Sequence, residues 1–123
     1  MSYSFTTIHD VQVLDCEANG ETVKSEREAL DLIGDAFSLH AEMVILPVER
    51  LDEAFFQLKT GLAGQIVQKF VQYRRRLVIL GDISQYIAQS KAFKDYVYET
   101  NRGNEVWFLE TRQELEERLI PAQ

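Results

Sequence analysis

Three short segments of the chain are apolar at every position: Met43-Val44-Ile45-Leu46, Leu77-Val78-Ile79-Leu80 and Val106-Trp107-Phe108-Leu109. Runs of this length, apolar on both faces, fit the central strands of a parallel sheet covered on each side. Pro47 ends the first run and Gly81-Asp82 the second. Ahead of the first, Ser25-Glu26-Arg27-Glu28 has the form of a capping box. There the serine oxygen can accept from a free helical N–H, and the glutamate can reach back. Ala29, Leu30, Ile33, Ala36, Phe37 and His40 follow at spacings of three and four, which predicts a helix with one buried stripe. Thr111-Arg112-Gln113-Glu114 repeats the capping pattern before a last helix with Leu115 and Leu119 inward and Pro121 as its stop. Ser90 stands as the cap of a helix carrying Phe93, Tyr96 and Val97, closed by Asn101-Arg102-Gly103. Near the start, Asn19-Gly20 separates the extended-looking Val11-Gln12-Val13-Leu14-Asp15-Cys16 from Glu21-Thr22-Val23. Both turn residues tolerate positive φ, so a β-hairpin is predicted there. The resulting order, β-hairpin then α, β, α, β, α, β, α, predicts an α/β domain with a mostly parallel sheet of about five strands, an N-terminal β-hairpin and flanking helices.

Residues 51–75 do not keep one helical phase. Leu51, Ala54, Phe55 and Leu58 form one stripe, while Ala63, Ile66, Val67 and Phe70 form another, rotated by about a third of a turn. The jump falls in Lys59-Thr60-Gly61-Leu62-Ala63-Gly64. Two glycines inside one helix would cost roughly 1 kcal/mol each relative to alanine, so a break is the cheaper reading. Thr60 then caps a second helix of about fifteen residues, with Gly61 at its first position. Either the glycines let this helix start close to a neighbouring strand, or Lys59, Thr60 and Gly61 offer a regulatory or anion site at the helix start.

Composition narrows the function classes. Apolar residues make up 46% and charged residues 27% of 123, as in an ordinary globular domain, and the length fits one domain over residues 1–123. The net charge is −7. Such a chain repels phosphate backbones, and its one basic run, Arg74-Arg75-Arg76, is short, so no nucleic-acid partner is expected. No stretch approaches a membrane span, and Met1-Ser2-Tyr3-Ser4 does not open a signal peptide. No membrane partner and a cytoplasmic location are therefore expected. One cysteine, Cys16, excludes an internal disulfide, and the spacing of His9 and His40 gives no metal motif, so neither metal nor cofactor is expected. His40 lies on the apolar stripe, and Cys16 has no basic neighbour to activate it. GxGxxG and GxxxxGK[ST] phosphate loops are both missing.

Two blocks carry a family resemblance. Phe55-Phe56-Gln57-Leu58-Lys59-Thr60-Gly61-Leu62-Ala63-Gly64-Gln65-Ile66-Val67-Gln68-Lys69-Phe70 with Leu77-Val78-Ile79-Leu80-Gly81-Asp82 is one, and Asp95-Tyr96-Val97-Tyr98-Glu99-Thr100-Asn101-Arg102-Gly103 is the other. Together they resemble a bacterial family catalogued as domain of unknown function 4180, over about residues 25–110. More distantly, the pattern is similar to the domain shared by sulfate transporters and anti-sigma-factor antagonists (STAS), and to SpoIIAA-like proteins. In those, a strand leads to an Asp-Ser-Ser-Gly-Leu-Gly helix start, and a serine there is phosphorylated by a kinase partner. Here Lys59-Thr60-Gly61-Leu62 takes that place, with Lys59 at the phosphoacceptor position and Leu58 at the preceding acid. The resemblance implies a SpoIIAA-like fold and a protein-interaction or regulatory role, and it departs from the phosphorylation switch at the deciding residue.

These observations give a first expectation of a non-enzymatic module that binds an unknown protein partner. The alternative is a small-ligand binder or enzyme at the carboxyl edge of the sheet, where Glu49, Asp82 and Arg102 would converge. Gly81-Asp82 is equally a plain turn former, and Tyr98, Glu99, Asn101 and Arg102 are equally a solvated helix end. Phe55 inward leaves Phe56 on the opposite side, either as a partner interface or covered by Tyr3 or Phe5. A homodimer built by the hairpin's edge strand or by Phe56 is the third possibility.

Overall fold

The computed structural model describes residues 3–120. Five strands, β1 (Tyr3–Ile8), β2 (Val11–Cys16), β3 (Met43–Pro47), β4 (Arg76–Leu80) and β5 (Val106–Leu109), lie in the order β1-β2-β3-β4-β5. β1 is antiparallel to β2 and the other pairs are parallel. The helices are α1 (Glu26–Ser38), α2 (Leu62–Gln72), α3 (Ser84–Gln89), α4 (Lys91–Arg102) and α5 (Arg112–Leu119). Because the strands advance one way across the sheet, right-handed crossovers put every connecting helix on the same face. Leu14, Val44, Leu46, Leu77, Ile79 and Phe108 meet α1, α2 and α4 there. The alternate positions Val13, Met43, Ile45, Val78 and Trp107 form the second cluster under Leu115 of α5. An Asp15–Arg112 ion pair holds the start of α5 against β2. The α/β class, the mostly parallel five-stranded sheet, the N-terminal hairpin and the flanking helices agree with the sequence pattern.

The hairpin itself sits elsewhere. Its turn is His9-Asp10, both at positive φ (47° and 69°), joining β1 to β2 with Ile8 opposite Val11. Two left-handed residues in a two-residue loop match the twist of the strands they join, and aspartate tolerates that region better than most residues. The segment after Asn19-Gly20 makes instead a single parallel bridge from Val23 to Leu51, through Val23 N–H to Arg50 O and Asp52 N–H to Val23 O.

The phase jump is real, but the first stretch is no α-helix. Three short 3₁₀ turns, Val48–Arg50, Glu53–Phe56 and Leu58–Thr60, replace it. They bury Phe55 and Phe56 together, which a one-striped α-helix cannot do with adjacent residues. Gly61 (φ 79°) is the N-cap of α2, one residue after the expected Thr60. α2 runs eleven residues and buries Leu62, Ala63, Ile66 and Phe70.

On α1 the inward residues are Ala29, Leu32, Ile33 and Ala36, while Leu30 and Phe37 are exposed. His40 lies past the helix in the left-handed region (φ 58°), where its N–H bonds Phe37 O and that of Ala41 bonds Ala36 O. This is a Schellman ending, so His40 is off the stripe. Arg74 (φ 56°) ends α2 in the same way. Ser90 and Thr111 cap α4 and α5, accepting from Phe93 N–H and Glu114 N–H. At Ser25 the box is half made, since Glu28 accepts from the Ser25 hydroxyl and from Lys24 N–H. Pro121, expected to stop α5, lies outside the described residues.

Candidate functional site

The crossover from β2 through α1 to β3 leaves a cleft of about 650 Å³ beside α1. One flank of that helix presents Glu28, Asp31 and Asp35 to it, at spacings of three and four. Tyr3 of β1, Glu21 of the β2–α1 loop and Arg50 complete the part that matters chemically. Arg50 comes from the turn after β3 and is 4% exposed. A buried guanidinium needs acceptors on several sides. Its Nε donates to Glu21 O and its Nη1 to Glu17 O at 2.8 Å. The arginine thus holds the β2–α1 loop in place from below and sets a fixed positive charge beneath a rim of four carboxylates.

The groups around the cleft are tuned by their neighbours. Burial raises the Tyr3 hydroxyl above its usual range, and a hydrogen bond to Asp35 adds to that. The Ser25 hydroxyl holds Glu28 below the usual carboxylate range. Cys16, buried next to the cleft, is pushed up to about 11 by burial, with Arg50 pulling the other way. It is a neutral, inert thiol at ordinary pH.

The residues picked from the sequence are spread over the molecule. Thr60 is exposed, yet its hydroxyl is engaged on both sides. It donates toward Ala54 O (2.6 Å) and Gln57 O (2.9 Å), and accepts from Leu62 N–H at 3.2 Å. Lys59 lies one residue before it on a second cleft of about 450 Å³, shared with Phe56 and Tyr86. Phe56 is no surface residue, being 4% exposed, with its ring stacked on Tyr86 (centroids 4.1 Å, planes 7° apart) and edge-on to Phe55 and Phe93. Its cover therefore comes from α3, a helix the sequence pattern did not announce, and not from Tyr3 or Phe5. Glu49 and Asp82 follow the carboxyl ends of β3 and β4, whereas Arg102 ends α4 at the opposite, amino edge of the sheet. There Arg102 pairs with Glu99 (3.5 Å), so the three cannot converge. Asp82 accepts from Ser84 N–H at 2.9 Å, and this bond with the Ser84 hydroxyl lowers its pKa, the mark of a turn carboxylate. The arginine run also disperses. Arg75 stacks over Phe37 (3.6 Å) on one face, and Arg76 over Trp107 (4.8 Å) in the other cluster.

The match to known sequences covers almost the whole of this framework. The chain belongs to the family described as Domain of unknown function (DUF4180), which matches residues 8–119. No curated protein and no solved structure matches it. The matched range includes β2, α1 and Arg50, and hence all of the cleft's charged rim and floor. Among the described residues no helix is long and apolar enough to cross a membrane, and no group of three or more His, Cys, Asp or Glu is placed to hold a metal ion.

Arg50, Asp31 and Asp35 were not singled out by sequence pattern, and Tyr3 was read only as a cover for Phe56. The signal available was the Glu28, Asp31, Asp35 stripe, three acids on the flank of α1 beside its buried face. Nothing local marks Arg50, because its role depends on where β2's loop passes.

Proposed function

We propose that this DUF4180 domain is a protein-interaction module that takes a basic segment of its partner into the cleft beside α1, and that it acts by binding and not by catalysis. The observation that carries this reading is the set of four carboxylates, Glu21, Glu28, Asp31 and Asp35, on one cleft of about 650 Å³. A lysine or arginine side chain matches that rim in charge, and Arg50 beneath it fixes the loop that forms one wall. Glu28 is held below the usual carboxylate range by the Ser25 hydroxyl, so it stands as a fixed negative charge and not as a base titrating near neutrality. The sequence likeness to antagonist domains supports the same class of role. A phosphoryl group on Thr60 would remove the hydroxyl proton shared between Ala54 O and Gln57 O and bring its charge against those carbonyls, which favours partner exchange at the cleft over a switch at Thr60.

The test is fluorescence anisotropy with a lysine- and arginine-rich peptide and its acidic counterpart. The basic peptide is expected to bind, more weakly as salt rises, and Asp31→Asn with Asp35→Asn to weaken it about three- to tenfold. Equal binding of both peptides, or binding untouched by the double variant, refutes the proposal.

A further inference from the structure

The two edges of the sheet are finished differently. On β5, the Asn101 side chain does what a neighbouring strand would do: its Nδ2 donates to Phe108 O at 3.1 Å and its Oδ1 accepts from Phe108 N–H at 2.6 Å. On β1 no strand lies beyond it among the described residues. Its sequence, Tyr-Ser-Phe-Thr-Thr-Ile, has no charged residue and no proline, in a chain of which 27% is charged. Natural edge strands usually carry such residues to prevent pairing with another chain.

Which main-chain groups face outward follows from register. Gln12 O accepts from Glu42 N–H at 3.0 Å, so the Gln12 main chain faces β3. Its partner across the hairpin, Thr7, therefore presents its N–H and C=O to the free edge. Alternation gives the same orientation to Phe5 and Tyr3, whose partners are Leu14 and Cys16. The three outward residues, 3, 5 and 7, are symmetric about Phe5. Phe5 is 47% exposed, while the fold buries its neighbours on the same sheet face, Leu14 and Cys16.

We propose that β1 pairs antiparallel with β1 of a second copy of this chain, about a two-fold axis at Phe5, joining the two sheets edge to edge. In that register Tyr3 lies opposite Thr7 of the other copy, and Phe5 opposite Phe5. Each outward N–H and C=O then finds a partner, and the two phenyl rings meet on one face. A second copy fits better than a charged partner strand because two chains of net charge −7 can meet there on segments that carry no charge. The pairing is isologous and closes at two copies. The contact is one strand wide, at the small end of interface sizes, so association is expected in the micromolar range. It strengthens with salt as the −7 charges are screened.

Sedimentation equilibrium over a concentration series and disulfide trapping together test this. Directly opposed residues of a hydrogen-bonded pair have Cα atoms about 5.5 Å apart, within disulfide range. Phe5→Cys is therefore expected to cross-link to a covalent dimer under mild oxidation. Thr7→Cys is not, because its copies are offset by four residues, about 13 Å. Phe5→Lys, at a half-exposed site that leaves the core intact, is expected to weaken the dimer at least tenfold. A monomer at every concentration, a dimer indifferent to Phe5→Lys, or cross-linking of Thr7→Cys as readily as Phe5→Cys overturns the proposal. The trapping arm decides even if the lysine variant fails to fold.

Discussion

The Asn101 clasp on β5 gives a prediction whose size follows from the structure. Asn101→Ala removes two hydrogen bonds to Phe108, at 2.6 and 3.1 Å, each worth about 1 kcal/mol net. The Phe108 groups left behind lie at a sheet edge, where water can replace part of the loss, so the larger penalty for a sealed unsatisfied group does not apply in full. Alanine is also the better helix former at the end of α4 by about half a kcal/mol, an opposing effect. The net expectation is a loss of about 1–2 kcal/mol, or a fall in Tm of several degrees for a domain of this length. Trp107, the single tryptophan and the residue before Phe108, reports the transition in urea by its fluorescence. Hydrogen exchange at the Phe108 amide should speed up in the variant. Arg102→Ala, an exposed neighbour with one surface ion pair to Glu99, serves as the control and is expected to change stability by less than about 0.5 kcal/mol. If Asn101→Ala loses no more than this control, the amide is not what closes the edge, and the contrast drawn between the two edges fails.

Two further outcomes test the surroundings of the sheet. A β-carbon on Gly81 would come within 2.8 Å of Val48 Cγ2, and its φ of 142° disfavours any side chain, so Gly81→Ala is expected to destabilise by about 1–3 kcal/mol in thermal melts; an unchanged Tm would mean that the β4 end relaxes freely. Cys16 has its folded pKa raised from 9.0 to about 11, so the folded state holds the proton more tightly. Its contribution is full below pH 9 and is lost as pH rises toward 11, by about 2–3 kcal/mol, and Cys16→Ala should remove that part of the alkaline decline in urea titrations across pH 8–11.

Much of the framework was written locally. The all-apolar runs became β3, β4 and β5 because a central parallel strand must be apolar on both faces. The serine and threonine caps at Ser90 and Thr111 work because each satisfies an N–H within its own first turn. The change of helical phase near Gly61 was legible because α2 buries Leu62, Ala63, Ile66 and Phe70 as one stripe at helical spacing. Where contacts come from afar, local pattern failed. Phe56 looked exposed by helical phase, yet the 3₁₀ turns and Tyr86, thirty residues on, bury it. Asn19-Gly20 carried the stronger turn signal, but the hairpin formed at His9-Asp10, where pairing β1 with β2 buries Ile8 and packs Tyr3 against the core, whereas Val23 reaches the core through its bridge to Leu51 and leaves Glu21 and Thr22 exposed. Arg102 and Asp82 looked like partners along the chain, and the direction of α4 separates them by the length of a strand.

The candidate site belongs to the second category. Sequence alone put three acids on one flank of α1 and an arginine after Pro47, since residue type and helical spacing are local properties. Only the tertiary structure made them a cleft. The parallel register of β2 and β3 brings the Glu17–Glu21 loop over Arg50, and a buried guanidinium then has to take those carbonyls as its partners. The open edge of β1 was decided in the same way. Its neutral residues were plain in the sequence, but which of its main-chain groups face outward depends on the pairing of β2 with β3 on the other side.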